Sequence, residues 1–207
     1  IGANGTLVFV GVGRQAIVYT FEGCRKLWSM VFEHSAFYGR VSDNGKLAFV
    51  AGIDTHCPAC IRMRERWVRI VDLKTGKRVF DGTYARVYAL EVDFKQKLIA
   101  LVTSSGLRVY NYSRSFTFAS SALVGTFSAD LFTARAYGFS TPSAHYFYWS
   151  GGVIGGKLLL WLVDWRGLTF LNMSIAAYRD EHVVDVKVHD SGLIAVELER
   201  FNGTTRV

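Results

Sequence analysis

Polar turns alternate along the whole chain with short runs of β-branched and aromatic residues. The clearest phrase, Asn4-Gly5-Thr6-Leu7-Val8-Phe9-Val10, returns as Asn44-Gly45-Lys46-Leu47-Ala48-Phe49-Val50. Related phrases are Lys97-Leu98-Ile99-Ala100-Leu101, after a turn at 94–96, and Gly192-Leu193-Ile194-Ala195-Val196, after Asp190-Ser191. In each case a polar turn leads into an alternating strand. Strands are also expected before these turns, at 37–42, 87–93, 132–139 and 183–189. Residues 67–77 read as a strand, a turn and the start of another strand, with weaker echoes at 17–28, 107–118 and 158–170. No window of about 12 residues carries a helical period, so the class is all-β.

A repeat of about 40–50 residues is the period of propeller blades and long solenoid repeats. Four antiparallel strands joined by short turns make a β-meander blade. The repeat divides the chain at about 1–32, 37–80, 87–122, 131–176 and 183–207, which gives four to five blades of one domain. The first and last units hold fewer strands than a whole blade, so the natural protein is expected to continue beyond Val207. A β-sandwich is the alternative, but it predicts no fixed order of turn types.

Two turns resemble those of a known group. Ser42-Asp43-Asn44-Gly45-Lys46-Leu47 resembles the a–b turn of WD40 and related propellers. Val71-Asp72-Leu73-Lys74-Thr75-Gly76-Lys77 is similar to the c–d turn shared by WD40-like and quinoprotein-like blades. Trp161-Leu162-Val163-Asp164 comes nearest to the Trp-Asp pair of regular WD40 repeats. The resemblance implies a β-propeller of four-stranded antiparallel blades.

Half of the 207 residues are hydrophobic and a fifth are charged, as in a folded chain. No apolar run reaches the roughly 18–20 residues of a membrane span. The net charge of +7 could serve an anionic partner. The basic residues are nevertheless spread out, save for Arg62, Arg64, Arg66 and Arg69, and nucleic acid is not expected. Asn and Gln are scarce, at five and two, a bias of proteins from hot environments.

Several stretches could carry chemistry. Gly11-Val12-Gly13-Arg14-Gln15-Ala16 matches a dinucleotide-binding pattern, which works only where a helix starts. The β-branched residues that follow mark a hairpin instead, and no cofactor is expected. His34, His145, His182 and His189 sit near turns, and Asp43, Asp72, Asp93, Asp164 and Asp190 recur beside them, where a carboxylate accepts backbone N–H groups. The aromatic run Tyr146-Phe147-Tyr148-Trp149, with Trp161 and Trp165, could be a stacking platform, but alternation makes it core. No catalytic residue or metal ligand is assigned.

Four of the five asparagines, Asn4, Asn111, Asn172 and Asn202, lie in N-x-S/T sequons, against about one expected by chance. Asn4, Asn111 and Asn202 fall at expected turns and Asn172 on an outer strand, so glycans could attach. The stretch His56-Cys57-Pro58-Ala59-Cys60 lies in an insertion from about 52 to 66. A c-type haem needs the His after the pair, a thioredoxin-like site needs a helix, which is not expected here, and a structural zinc needs a fourth ligand. A Cys57–Cys60 disulfide fits an exported protein; reduced thiols and a metal site are the alternatives.

These readings converge on an extracellular or cell-surface, N-glycosylated, non-catalytic propeller that serves as a structural or protein-interaction module. Its partners would be other protein chains, as in a surface or filament assembly, with Arg62, Arg64 and Arg66 on the contact surface. The alternatives are a cytoplasmic WD40-like scaffold for an acidic partner and a propeller enzyme of quinoprotein or hydrolase type.

Overall fold

The computed structural model describes residues 7–127, 136–141, 143–154, 156–164, 169–178, 180–200 and 203–206. Among the described residues, five antiparallel sheets follow one another along the chain. The first holds β1 (Leu7–Val12), β2 (Gln15–Thr20) and β3 (Lys26–Val31). The second holds β4 (Ser35–Val41), β5 (Leu47–Ile53), β6 (Arg66–Asp72) and β7 (Arg78–Tyr84). The third runs β8 (Val87–Asp93), β9 (Leu98–Thr103), β10 (Gly106–Asn111) and β11 (Leu123–Phe127). The fourth has β12 (Ala136–Phe139), β13 (Phe147–Ile154), β14 (Lys157–Asp164) and β15 (Thr169–Ala176). The fifth contains β16 (Glu181–Val188), β17 (Ile194–Arg200) and β18 (Thr205–Arg206). Within every sheet the strands pair in chain order.

The turn phrases work as their chemistry predicts. Asn44 Oδ1 accepts from Lys46 N–H, and Ser42 Oγ accepts from Leu47 N–H, while Gly45 takes φ +65°, which costs glycine nothing. Asp72 Oδ1 accepts from the N–H groups of Lys74 and Thr75 and from Thr75 Oγ1, and Gly76 follows at φ +69°. These hydrogen bonds hold the Asp72 carboxyl below its usual range. Gly11 to Ala16 form the β1–β2 hairpin, with Gly13 at φ +56°, so no helix receives a phosphate there.

The chain divides into two compact units. One comprises Ile1–Val87 and Asn111–Ala122. Its core places Phe32, Ala36, Ala48, Val50, Trp67 and Val71 together, with Phe9 and Trp28 packed against them. Gly39 and Gly52 exist for close approach: a Cβ on Gly39 would meet the Phe9 ring at 2.2 Å, and one on Gly52 would meet the Ser35 carbonyl oxygen at 1.8 Å. The 111–122 segment lays Phe118 edge-on against Phe80, with ring centroids 4.8 Å apart, and offers the Phe116 carbonyl to Asp81 N–H at 2.8 Å. The fourth strand of the third sheet therefore comes after that segment, past the unit end expected at 122.

The other unit comprises Tyr88–Tyr110 and Leu123–Val207. Leu98, Ala100, Val102, Leu107 and Val109 pack against Phe147, Trp149 and Val163. Tyr148, Leu160 and Leu162 pack against Val186 and Val188. The aromatic run is thus core: Phe147 and Trp149 are buried, and Trp149 stacks on Trp161 with centroids 5.9 Å apart. Trp165 lies outside the described residues.

Candidate functional site

β4 and β5 pair as far as Ser35 and Ile53, so the residues just beyond the ladder, His34 and Asp54, are neighbours. His34 Nδ1 lies 3.3 Å from an Asp54 carboxylate oxygen. Asp54 also turns the chain: its Oδ1 accepts from His56 N–H at 2.9 Å. The next residues form a short helix, α1 (Pro58–Arg62), with Cys57 at its N-cap. Pro58 suits the first helical position, since its missing N–H would have had no partner in the helix. Cys57 Sγ accepts from Cys60 N–H at 3.1 Å.

This helix corrects the expectation that none follows Cys57. Five residues are too few to display a period, and the helix is held by its ends. Cys57 and Cys60 form a disulfide, with Cα atoms 5.2 Å apart. Closing so short a loop contributes about 2 kcal/mol at most in the loop-closure picture, so the bond fixes local geometry more than the fold. Cys24 is a free, exposed thiol.

The far end of the loop is docked as well. Met63 and Arg64 carbonyls accept from Arg86 N–H at 2.7 Å and Val87 N–H at 3.2 Å. Arg64 takes φ +49° to make this return. Between the two anchors the loop shows solvent a mixed surface. Ile61 and Met63 are 46% and 44% exposed, and Arg62 and Arg64 are exposed beside them. Arg66 is half-buried, with its guanidinium 5.1 Å from the centre of the exposed Phe37 ring. Burial, and then the Arg64 charge, lower the Arg66 pKa. The three arginines thus differ: Arg62 and Arg64 face water, whereas Arg66 lies against an aromatic ring.

Sequence reasoning placed His34 only near a turn and did not single out Asp54. Asp54 Oδ, Cys57 Sγ and Cys60 Sγ lie within 4.8 Å of one another, and His56 contributes only its backbone N–H. The signal that could have found them is the β4–β5 register.

Of the sequon asparagines, Asn111 closes β10, and its Oδ1 accepts from Ser113 N–H at 3.0 Å and Ser113 Oγ at 2.6 Å. Asn172 lies on β15, the outer strand of its sheet. Asn4 and Asn202 lie outside the described residues. The other histidines have turn and strand partners: His145 Nε2 with Asp164 at 3.3 Å, His182 with Glu199 at 3.5 Å, and His189 Nδ1 with Ser191 Oγ at 2.8 Å. Among the described residues a shallow recess is lined by Thr141, Lys187, His189, Leu193 and Ala195.

No protein-family model and no curated protein matches the chain. Among solved structures, hydrazine synthase of Kuenenia stuttgartiensis, a β-propeller-containing protein, is similar over 97% of this chain with a TM-score of 0.66. The fold is a β-propeller of four-stranded antiparallel blades. Sequence identity is 13%, so the likeness carries the fold alone, and the chain spans 54% of that structure's chain. No described helix is long and apolar enough to cross a membrane.

Proposed function

We propose that this chain is an extracytoplasmic, N-glycosylated propeller module of WD40-like or quinoprotein-like kind that binds another protein through the β5–β6 loop. The observation that carries the reading is the loop itself. It is anchored at both ends, closed by a disulfide, and presents Ile61 and Met63 among Arg62, Arg64 and Arg66. A preordered loop loses little entropy on binding, and apolar residues set among arginines are the composition of interface centres. The charge favours a partner with an acidic surface. The disulfide and the four sequons support a compartment outside the cytoplasm.

The test uses protein isolated from its natural source. Peptide mass spectrometry should find hexose-bearing Asn111 and Asn172, and unmodified asparagines at both would remove the export reading. A neighbouring protein chain should crosslink to a photoreactive group placed at position 61, and the Arg62→Glu/Arg64→Glu variant carrying the same group should lose that crosslink. A partner captured equally well by the variant would move the interface elsewhere.

A further inference from the structure

The β5–β6 loop brings together a set of donors suited to a soft divalent cation. An Asp54 carboxylate oxygen lies within 4.8 Å of both sulfurs of Cys57 and Cys60, which the disulfide joins here and which reduction would free as ligands beside the carboxylate. They come from different local devices. Asp54 sits at the end of β5 and is tied to His56 N–H, Cys57 caps α1, and Cys60 lies one turn on. His34 reaches the same carboxylate from the chain entering β4, at 3.3 Å. A carboxylate ligand held by a second residue is the arrangement that orients metal ligands.

We propose that reduction of the Cys57–Cys60 disulfide creates a zinc-class cation site. Its ligands are Cys57 Sγ, Cys60 Sγ and an Asp54 oxygen; His34 positions the carboxylate, and water takes the fourth place. The proposal is independent of partner binding. A dithiol reductant supplies the electrons: its two sulfurs join as a disulfide, the Cys57–Cys60 bond breaks, and each cysteine takes up one proton. Cation binding then sends both protons to solvent and leaves two thiolates on the metal.

Thiolate ligands select zinc and its spectroscopic substitute cobalt over magnesium or calcium. Two thiolates and one carboxylate carry three negative charges against the ion's two positive ones, and Arg62 and Arg64 follow on the same loop to offset the remainder. The short loop leaves the bond open to exchange: a disulfide that adds so little to the stability of the fold is, by linkage, held closed by the fold equally little. The same loop then has two locked forms, one covalent and one metal-bound.

The experiment uses the full chain, reduced with a phosphine under nitrogen and freed of excess reductant. Cobalt is titrated in while sulfur-to-metal charge-transfer absorption is followed in the near ultraviolet, and zinc is then added to displace it. One cobalt per chain should bind to reduced protein and none to oxidised protein. Asp54→Asn should weaken binding about 10-fold or more, and His34→Gln about 10-fold through loss of orientation. Cys57→Ser should abolish the band, and circular dichroism shows whether each variant is folded. A second readout needs no variant: zinc should slow alkylation of Cys57 and Cys60 in reduced wild-type protein, seen by mass. Absence of the band in reduced wild-type protein, alkylation unaffected by zinc, or a folded Asp54→Asn variant with unchanged affinity would each overturn the proposal.

Discussion

Glu33 and Arg69 are 36 residues apart in sequence and joined by a hydrogen bond from Arg69 Nη2 to Glu33 Oε2. Arg69 is buried on β6, its guanidinium 5.6 Å from the Phe32 ring centre and 5.2 Å from that of Trp67. Its Nε donates to Asp81 at 3.1 Å, and Arg78 bridges the same two carboxylates at 3.0 and 2.6 Å. Two cations and two anions thus make a neutral group, which is what allows a guanidinium to lie among aromatic rings.

Glu33→Gln should therefore cost about 1 kcal/mol at neutral pH, a value discounted because Glu33 itself is exposed. The hydrogen bond from Arg69, followed by that from Arg78, holds the Glu33 carboxyl below its ordinary range. A depressed carboxyl stabilises fully above its unfolded value near about 4.3 and loses that contribution as pH falls through the folded value. Thermal unfolding of wild type and variant should differ by about 2–4 °C at pH 7. The gap should close in acid; one that held constant would rule out the ion pair as its cause.

Gly52 and Gly13 separate two reasons for glycine. A Cβ on Gly52 would meet the Ser35 carbonyl oxygen at 1.8 Å and the Trp67 ring at 2.4 Å, so the backbone of two strands must part. Around Gly13 nothing lies within 4 Å, but φ is +56°. Gly52→Ala should cost about 3 kcal/mol or more by overpacking, and Gly13→Ala about 1 kcal/mol by strain alone. Denaturant midpoints would check this, and equal midpoints for the two variants would contradict the assignment.

The blade pattern was legible because turn and strand chemistry is local. Asn44-Gly45 and Asp72 to Gly76 carry their hydrogen bonds within a few residues, so their repetition announces the sheets. What stayed hidden depends on distant contacts. Phe118 holds 111–122 against Phe80 and Tyr84 and so delays β11 to Leu123–Phe127. The neighbourhood of His34 and Asp54 follows from where the β4–β5 ladder stops, and α1 is too short to leave a period. The Cys57–Cys60 disulfide was one of three readings the sequence left open, but the carboxylate beside it was not visible there.

Asp190 ties the fourth and fifth sheets of its unit. Its carboxylate accepts from Ser140 Oγ at 2.5 Å, Ser143 N–H at 2.6 Å and His145 N–H at 3.2 Å. Burial pushes this carboxyl up, yet the three hydrogen bonds outweigh it and leave it below the usual range. Asp190→Ala, which leaves the buried Ser140 O–H without its acceptor while Tyr146 N–H still donates to the oxygen, should cost about 2 kcal/mol, and Asp190→Asn less because one acceptor remains. The depressed carboxyl again places the loss of stability in acid. A pH–stability profile should show the wild-type advantage over Asp190→Ala falling as the pH drops; an advantage that grew in acid would reverse the sign of the argument.

Removing the disulfide should act on the loop and spare the sheets. Ile61 N–H donates to the Cys57 carbonyl at 3.1 Å and Met63 N–H to the Ala59 carbonyl at 2.8 Å, so both amides report on α1. The contacts of Met63 and Arg64 with Arg86 and Val87 hold the far end independently. In the Cys57→Ser/Cys60→Ser variant, kept metal-free, hydrogen exchange at Ile61 and Met63 should quicken, while amides of β5 and β6 stay protected. The loss of global stability should stay within about 2 kcal/mol, which corresponds to less than about 8 °C for a chain of this size. A drop well beyond that, with exchange spreading into β5 and β6, would make the disulfide a staple of the fold. Local exchange alone would mark it as the lock of a binding loop.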